Sequence, residues 1–219
     1  MHKSEVASRM YVPSSFAEDD PERLRRFVEQ NSFGIFVSQE QGVPAASHLP
    51  FLFDWTSGPH GRLIGHVARA NPQWKELDGQ ETLTIFSGPH AYISPAWYQA
   101  EEVVPTWNYI AVHVHGRATV IHEADALAKM VGEFVRYYER PRAAPWTLDE
   151  HSHYVKKMCQ QIVGFHIDIT RIQGKWKLGQ NHPAARRRLA AAALREQPDE
   201  NSQAIAAAME RTLSRDGNS

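Results

Sequence analysis

The stretch WNYIAVHVHGRATVI, Trp107 to Ile121, reads as one long strand with a bend at Gly116. Its even positions Asn108, Ile110, Val112 and Val114 form one face, and its odd positions Trp107, Tyr109, Ala111, His113 and His115 form the other. Strand side chains alternate with period two, so the aliphatic even face is expected in the core. The odd face then meets solvent or another subunit. The same parity turns Asn108 inward, where it is either a ligand contact or a core amide with its bonds satisfied.

Working outward, the chain is β-rich on both sides of this strand. Phe33 to Ser38, Val43 to Asp54, Arg62 to Ala68 and Glu81 to Ser87 read as strands, separated by turn chemistry at Gln41-Gly42, Thr56 to Gly61 and Gly88-Pro89. Val163 to Ile172 is expected as the last strand, with Gln173-Gly174 as a turn before Lys175 to Leu178. Asp19-Asp20-Pro21 caps a helix that ends near Asn31, and a short helix is expected from about Gln73 to Leu77. Further helices are expected over about Ala124 to Tyr138 and Leu148 to Cys159. Two alanine-rich helices broken at Pro198 close the chain. Many short strands beside separate helical stretches, without strict β-α alternation, give a β-dominated α+β fold.

With 219 residues, 42% apolar and 22% charged, this is an ordinary globular composition. A chain of that length buries enough surface to fold without a disulfide or structural metal. A formal net charge of −1 argues against a dominant nucleic-acid surface. Cys159 is the only cysteine, so no intrachain disulfide can form, and a buried small side chain is its expected role. Met1 to Ser15 lack the apolar centre of a secretory signal, and no apolar run approaches a bilayer's thickness. The cytoplasm is the expected compartment.

Three segments could carry chemistry. In Gly65 to Trp74 a strand ends in Arg69 and Asn71 just before a helix start. A guanidinium fork with free backbone N–H groups suits a phosphate, although surface arginines at strand ends are common. Alternation puts His66 on the face opposite Arg69. In Ser87 to Tyr98, with Pro105 to Tyr109 behind it, aromatic side chains offer flat walls to a planar ligand or to a subunit interface. In Gly174 to Asn181, Lys175 and Lys177 share a face and could meet an anion. His113/His115 and His151/His153 are possible chelating pairs, but no carboxylate or thiol set at ligand spacing accompanies them, so no metal site is assigned. Hydrolase, Walker and dinucleotide fingerprints are absent.

Taken together, these pieces resemble the PaiB-type FMN-binding negative transcriptional regulators. The matching motifs are Met10-Tyr11-Val12-Pro13…Phe16, Ser47-His48-Leu49-Pro50, Gly65-His66…Arg69-Ala70-Asn71-Pro72…Trp74, Gly88-Pro89…Ala91-Tyr92-Ile93-Ser94-Pro95…Trp97-Tyr98, Val104 to Tyr109, and Lys177-Leu178-Gly179-Gln180-Asn181. Their order runs from Met10 to about Thr212; the family pattern usually has serine where Gly179 stands. The resemblance implies a six-stranded-type split β-barrel with peripheral helices and a helical C-terminal extension. Residues 1–182 would form the barrel domain with its inserted helices, and 183–219 the extension. It further implies a homodimer with FMN at the subunit interface. Arg69 and Lys177 are the expected phosphate cations, His48, His66, Asn71 and Trp74 lie near the site, and Tyr92, Ser94, Trp107 and Asn108 are walls and edge partners.

The family label implies a regulatory or sensory flavoprotein. DNA binding has no support from charge or a helix-turn-helix, and Arg186-Arg187-Arg188 is the only basic run. A flavin-dependent oxidoreductase using a nicotinamide or small-molecule donor is the alternative, with His48, His66 or Tyr92 moving protons. A haem-binding or haem-degrading split barrel ranks third. Catalytic residues cannot be assigned from these residues.

Overall fold

A computed structural model describes residues 10–98 and 101–216, with side chains to 214. Eight strands run β1 (Ala17–Glu18), β2 (Phe33–Glu40), β3 (Val43–Pro50), β4 (Leu52–Asp54), β5 (Arg62–Ala68), β6 (Glu81–Ile93), β7 (Thr106–Ile121) and β8 (Ile162–Lys177). Five helices accompany them: α1 (Pro21–Gln30), α2 (Ala124–Glu139), α3 (His153–Cys159), α4 (Ala184–Arg195) and α5 (Glu200–Asp216). Short 3-10 turns occupy Ser14–Phe16, Pro72–Glu76 and Pro95–Tyr98. Backbone pairing orders the strands β3-β2-β6-β7-β8-β5-β4, with β1 added to β8.

The even face of β7 is buried as its alternation requires: Asn108, Ile110, Val112 and Val114 are each 6% exposed or less. On the odd face Trp107 is exposed, Tyr109, Ala111 and His113 are half-buried, and His115 is buried.

Four sequence expectations are corrected. Gly88-Pro89 does not end β6, which continues to Ile93. Gln173-Gly174 is not a turn; β8 runs on to Lys177 because β1 pairs with it, Glu18 opposite Gly174 and Ala17 opposite Lys175. The strand expected over Val43 to Asp54 breaks at Phe51, whose N–H bonds to Ser32 O and whose ring is fully buried. The helix expected from Leu148 begins only at His153, where the Ser152 hydroxyl accepts from Val155 N–H as an N-cap.

The described residues divide into two compact units: residues 25–86 with 113–172, and residues 10–24 with 87–98, 101–112 and 173–216. In the first, Phe36, Phe51, Phe86 and Phe165 pack ring to ring, with Phe36 and Phe165 stacked at 4.9 Å. Burying a ring of that size contributes roughly 1.5–3 kcal/mol. A second cluster seats α2 and α3 through Leu127, Met130, Phe134, Val155 and Cys159 against Leu52. Burial there raises the Cys159 thiol pKa, which fits an inert packing role. In the other unit, α4 and α5 pack through Ala190, Ala191, Leu194, Ile205, Ala206 and Met209. Alanines let the two backbones come close, and Arg195 forks onto Glu210 at 3.0 and 2.5 Å. Among the described residues no helix is long and apolar enough to cross a membrane.

Candidate cofactor site

Beyond the end of β5 the chain turns through Arg69 and Ala70 into the 3-10 turn, and side chains lock that turn. Asn71 is its N-cap: Oδ1 accepts from Gln73 N–H at 3.0 Å, and Nδ2 donates to the Ser47 hydroxyl at 2.9 Å. Ser47 in turn donates to Gln73 Oε1 at 2.6 Å, while buried Gln73 donates to the Ser38 hydroxyl at 2.9 Å. Asn71, Ser47, Gln73 and Ser38 thus form one connected polar network beyond the end of β5.

Arg69 is held on the same scaffold. Its Nε donates to Gln160 O at 2.7 Å and its Nη2 to Ile162 O at 2.8 Å. The guanidinium lies over the Trp74 ring at 5.8 Å, and the Trp74 indole meets His122 edge-on at 5.6 Å. Arg69, His122, Ala124, Leu127, Cys159 and Gln160 line a small cavity of about 170 Å³. An arginine so fixed keeps N–H donors on Nη1 for an anion at little further entropic cost.

His48 and His66 sit on different strands. His48 on β3 is exposed and stacks with Phe33 at 6.4 Å. His66 on β5 is half-buried, edge-on to Phe134 at 5.3 Å, and its buried Nδ1 has no hydrogen-bond partner among the described residues. Burial lowers its pKa, so it is neutral near pH 7.

The remaining candidates belong to the other unit. Tyr92 and Trp107 are 46% and 54% exposed and form an edge-to-face pair at 5.9 Å, with His90 beside Trp107 at 6.1 Å. Ser94 caps the following 3-10 turn by accepting from Ala96 N–H at 3.3 Å. The two lysines of the last motif part company: Lys175 is buried and donates to Tyr11 O at 2.8 Å, between the rings of Tyr11 and Tyr109. Lys177 donates to the Thr106 hydroxyl at 2.5 Å and, with Asn108, lines a cavity of about 260 Å³. Asn108 is a core amide by burial, at 1% exposed, but its Oδ1 has no partner among the described residues. Gly179 has φ +82°, a left-handed conformation that L side chains adopt at a cost. A Cβ there would meet nothing closer than Arg187 Cγ at 3.7 Å, so the serine of the family pattern would be opposed by the backbone and not by space.

Sequence reasoning missed Ser47 and Gln73 as the scaffold of the Asn71 turn, and Thr106, His182 and Arg186 as neighbours of Lys177. All five lie within or beside the quoted motifs, and only tertiary contact marks them.

Residues 10–171 match a family model described as "Putative FMN-binding domain". The protease synthase and sporulation protein PAI 2 of Bacillus subtilis strain 168 is 42% identical over 174 residues, which cover 78% of this chain and 83% of that protein. Among solved structures, the flavocytochrome Anf3 of Azotobacter vinelandii aligns with a TM-score of 0.55 at 19% identity, covering 78% of this chain and 74% of that one. The FAD and heme binding protein of Mycobacterium smegmatis aligns with a TM-score of 0.56 at 15% identity, covering 74% of each chain. These two likenesses bear on the fold alone, which is α+β, β-dominated and of the split-barrel kind, as the sequence motifs implied.

Proposed function

Because this chain belongs to the FMN-binding domain family whose model spans residues 10–171, we propose that it is a regulatory or sensory flavoprotein acting as a homodimer. FMN is the cofactor that membership brings, and each unit, taken by itself, carries residues that suit one part of it. Arg69, fixed by two carbonyls and the Trp74 ring, is the phosphate cation, with Asn71 and Trp74 maintaining the turn that presents it. Tyr92 and Trp107 are large flat side chains left exposed, which suits a ring system or a subunit face. Ser94 holds the segment after Tyr92, and His48 and His66 are the neutral or exposed donors available to a flavin edge. When bound, the flavin supplies the redox chemistry and the protein supplies its position and surroundings.

The observation that carries this reading is the family match, which spans every residue just named. The partly exposed odd face of β7 is the surface we assign to the partner subunit. Among the described residues no basic stripe supports direct DNA contact: Arg187 is buried, leaving Arg186 half-buried and only Arg188 exposed in that run. Regulation therefore runs through dimer shape and a partner, in the cytoplasm.

The test is the visible spectrum of the purified protein together with the mass of the small molecule it releases. A yellow protein releasing FMN agrees with the proposal. A colourless protein that FMN cannot reconstitute overturns the flavin half and leaves the fold. Salt-dependent binding to its own upstream DNA would overturn the indirect mode of regulation.

A further inference from the structure

We propose that the cavity lined by Thr106, Asn108, Lys177, His182 and Arg186 binds a small organic anion carrying its own hydrogen-bond donor, a ligand additional to the flavin. Its volume, about 260 Å³, lies just under the roughly 300–1,000 Å³ of pockets for drug-sized molecules. That space suits a compact metabolite and is too small to enclose a whole flavin nucleotide. Phe16, Val103 and Val104 supply apolar wall.

The charge of the lining is positive. The Lys177 ammonium is steadied by its bond to the Thr106 hydroxyl and keeps two N–H donors. The Arg186 guanidinium makes no side-chain hydrogen bond or ion pair among the described residues, and the one acidic lining residue, Glu102, is exposed. His182 packs on Tyr98 at 5.3 Å. Burial, then Arg186 and Lys177, lower its pKa, so at neutral pH it is a polar partner and not a third cation. Two cations that pair with no carboxylate among the described residues, Glu102 included, call for an anion.

Asn108 defines the rest of the ligand. It is 1% exposed, and its Nδ2 donates to the Met209 sulfur at 3.4 Å. A thioether accepts hydrogen bonds but cannot donate, so turning the amide round would not satisfy Oδ1. That oxygen has no partner among the described residues, and a buried acceptor left unpaired is costly. An anion's bare oxygen cannot serve it; a hydroxyl or amine can. The pocket should therefore separate anions that carry a donor from those that do not. Hydrogen phosphate, glycerol 3-phosphate and glycerate carry one, and sulfate does not.

The experiment is calorimetric titration of the flavin-loaded full chain near neutral pH, at constant ionic strength, with each of those four anions. We expect saturable binding, one per chain, of glycerol 3-phosphate or glycerate; which of the two binds tighter separates phosphate esters from carboxylates. Sulfate should bind at least about tenfold more weakly. Lys177→Gln and Arg186→Gln should each weaken binding about tenfold, and Arg186→Gln should do so while the flavin spectrum and its release stay unchanged. Thr106→Val, which frees the ammonium without altering charge, should weaken it less. Asn108→Leu should lose the preference over sulfate; if that variant does not fold, the two cation variants still decide. No saturable binding of any donor-bearing anion overturns the proposal, and so does sulfate binding as well as hydrogen phosphate. If Lys177→Gln releases FMN, the cavity belongs to the flavin phosphate and the second ligand is excluded, while the flavin reading stands.

Discussion

The Trp74 indole donates to the Arg69 carbonyl at 3.0 Å while the Arg69 guanidinium lies over the Trp74 ring at 5.8 Å, so each residue holds the other at both ends. Trp74→Phe keeps a ring under the guanidinium but removes the donor. It should destabilise the fold by about 1 kcal/mol, the usual value of one hydrogen bond. Arg69→Lys should cost more, about 2 kcal/mol, because an ammonium cannot reach both Gln160 O and Ile162 O and still stack. Urea unfolding of the two variants checks the order; a lysine variant as stable as the parent would show that the fork is not structural.

His115 should make the fold sensitive to mild acid. It is buried on β7, its Nε2 lacks a partner among the described residues, and its pKa is lowered to about 4 by burial first and then by Arg171 and His113. The unfolded chain takes up the proton near the ordinary value of 6.5, before the folded chain does, so folding stability falls as pH drops from about 6.5 to about 4. The full loss is roughly 3–4 kcal/mol. His66, lowered by burial, acts with the same sign. Stability measured against pH should flatten in this window for His115→Gln; an unchanged slope would place the titration elsewhere.

Much of this architecture is legible in period-two patterns, because burial of one face writes itself into alternate residues, as along Asn108 to Val114. The continuation of β8 through Gly174 is not, because it depends on two distant residues, Ala17 and Glu18, pairing with it. The motifs named most of the candidate residues, yet their roles needed contacts. Lys175 and Lys177 look alike in sequence, and one lies buried between tyrosine rings while the other lines a cavity. Asn108 was expected as either a ligand contact or a satisfied amide, and only a methionine far along the chain, Met209, shows which of its atoms is left over.

Gly116 marks a close approach that no side chain can share. A Cβ there would lie 2.4 Å from the Asp168 carbonyl oxygen and 2.6 Å from Ile167 Cγ2, and the Gly116 carbonyl already accepts from the Thr82 hydroxyl at 3.0 Å. A backbone oxygen cannot swing aside as a flexible side chain can. Gly116→Ala should therefore cost about 3 kcal/mol, the upper end for overpacking. A shifted urea midpoint with an unchanged slope is the expected signature. A loss under about 0.5 kcal/mol, the level of an ordinary surface change, would mean that the strands part here without penalty.

Trp107 separates stability from binding. More than half of its surface is exposed, and its ring contacts are with His90 and Tyr92 alone among the described residues. Trp107→Ala should then cost the fold only about 0.5–1.5 kcal/mol, the value of such a ring pair. If its exposed face meets the flavin or the partner subunit, the same change should weaken FMN retention or dimerisation by about tenfold or more. Tyr92→Ala should act in the same direction. Dialysis against buffer followed by absorbance reads flavin loss, and sedimentation reads the dimer. Were both unchanged while stability fell by several kcal/mol, the aromatic pair would be a misjudged piece of core, and the surface proposed for flavin and partner would have to lie elsewhere.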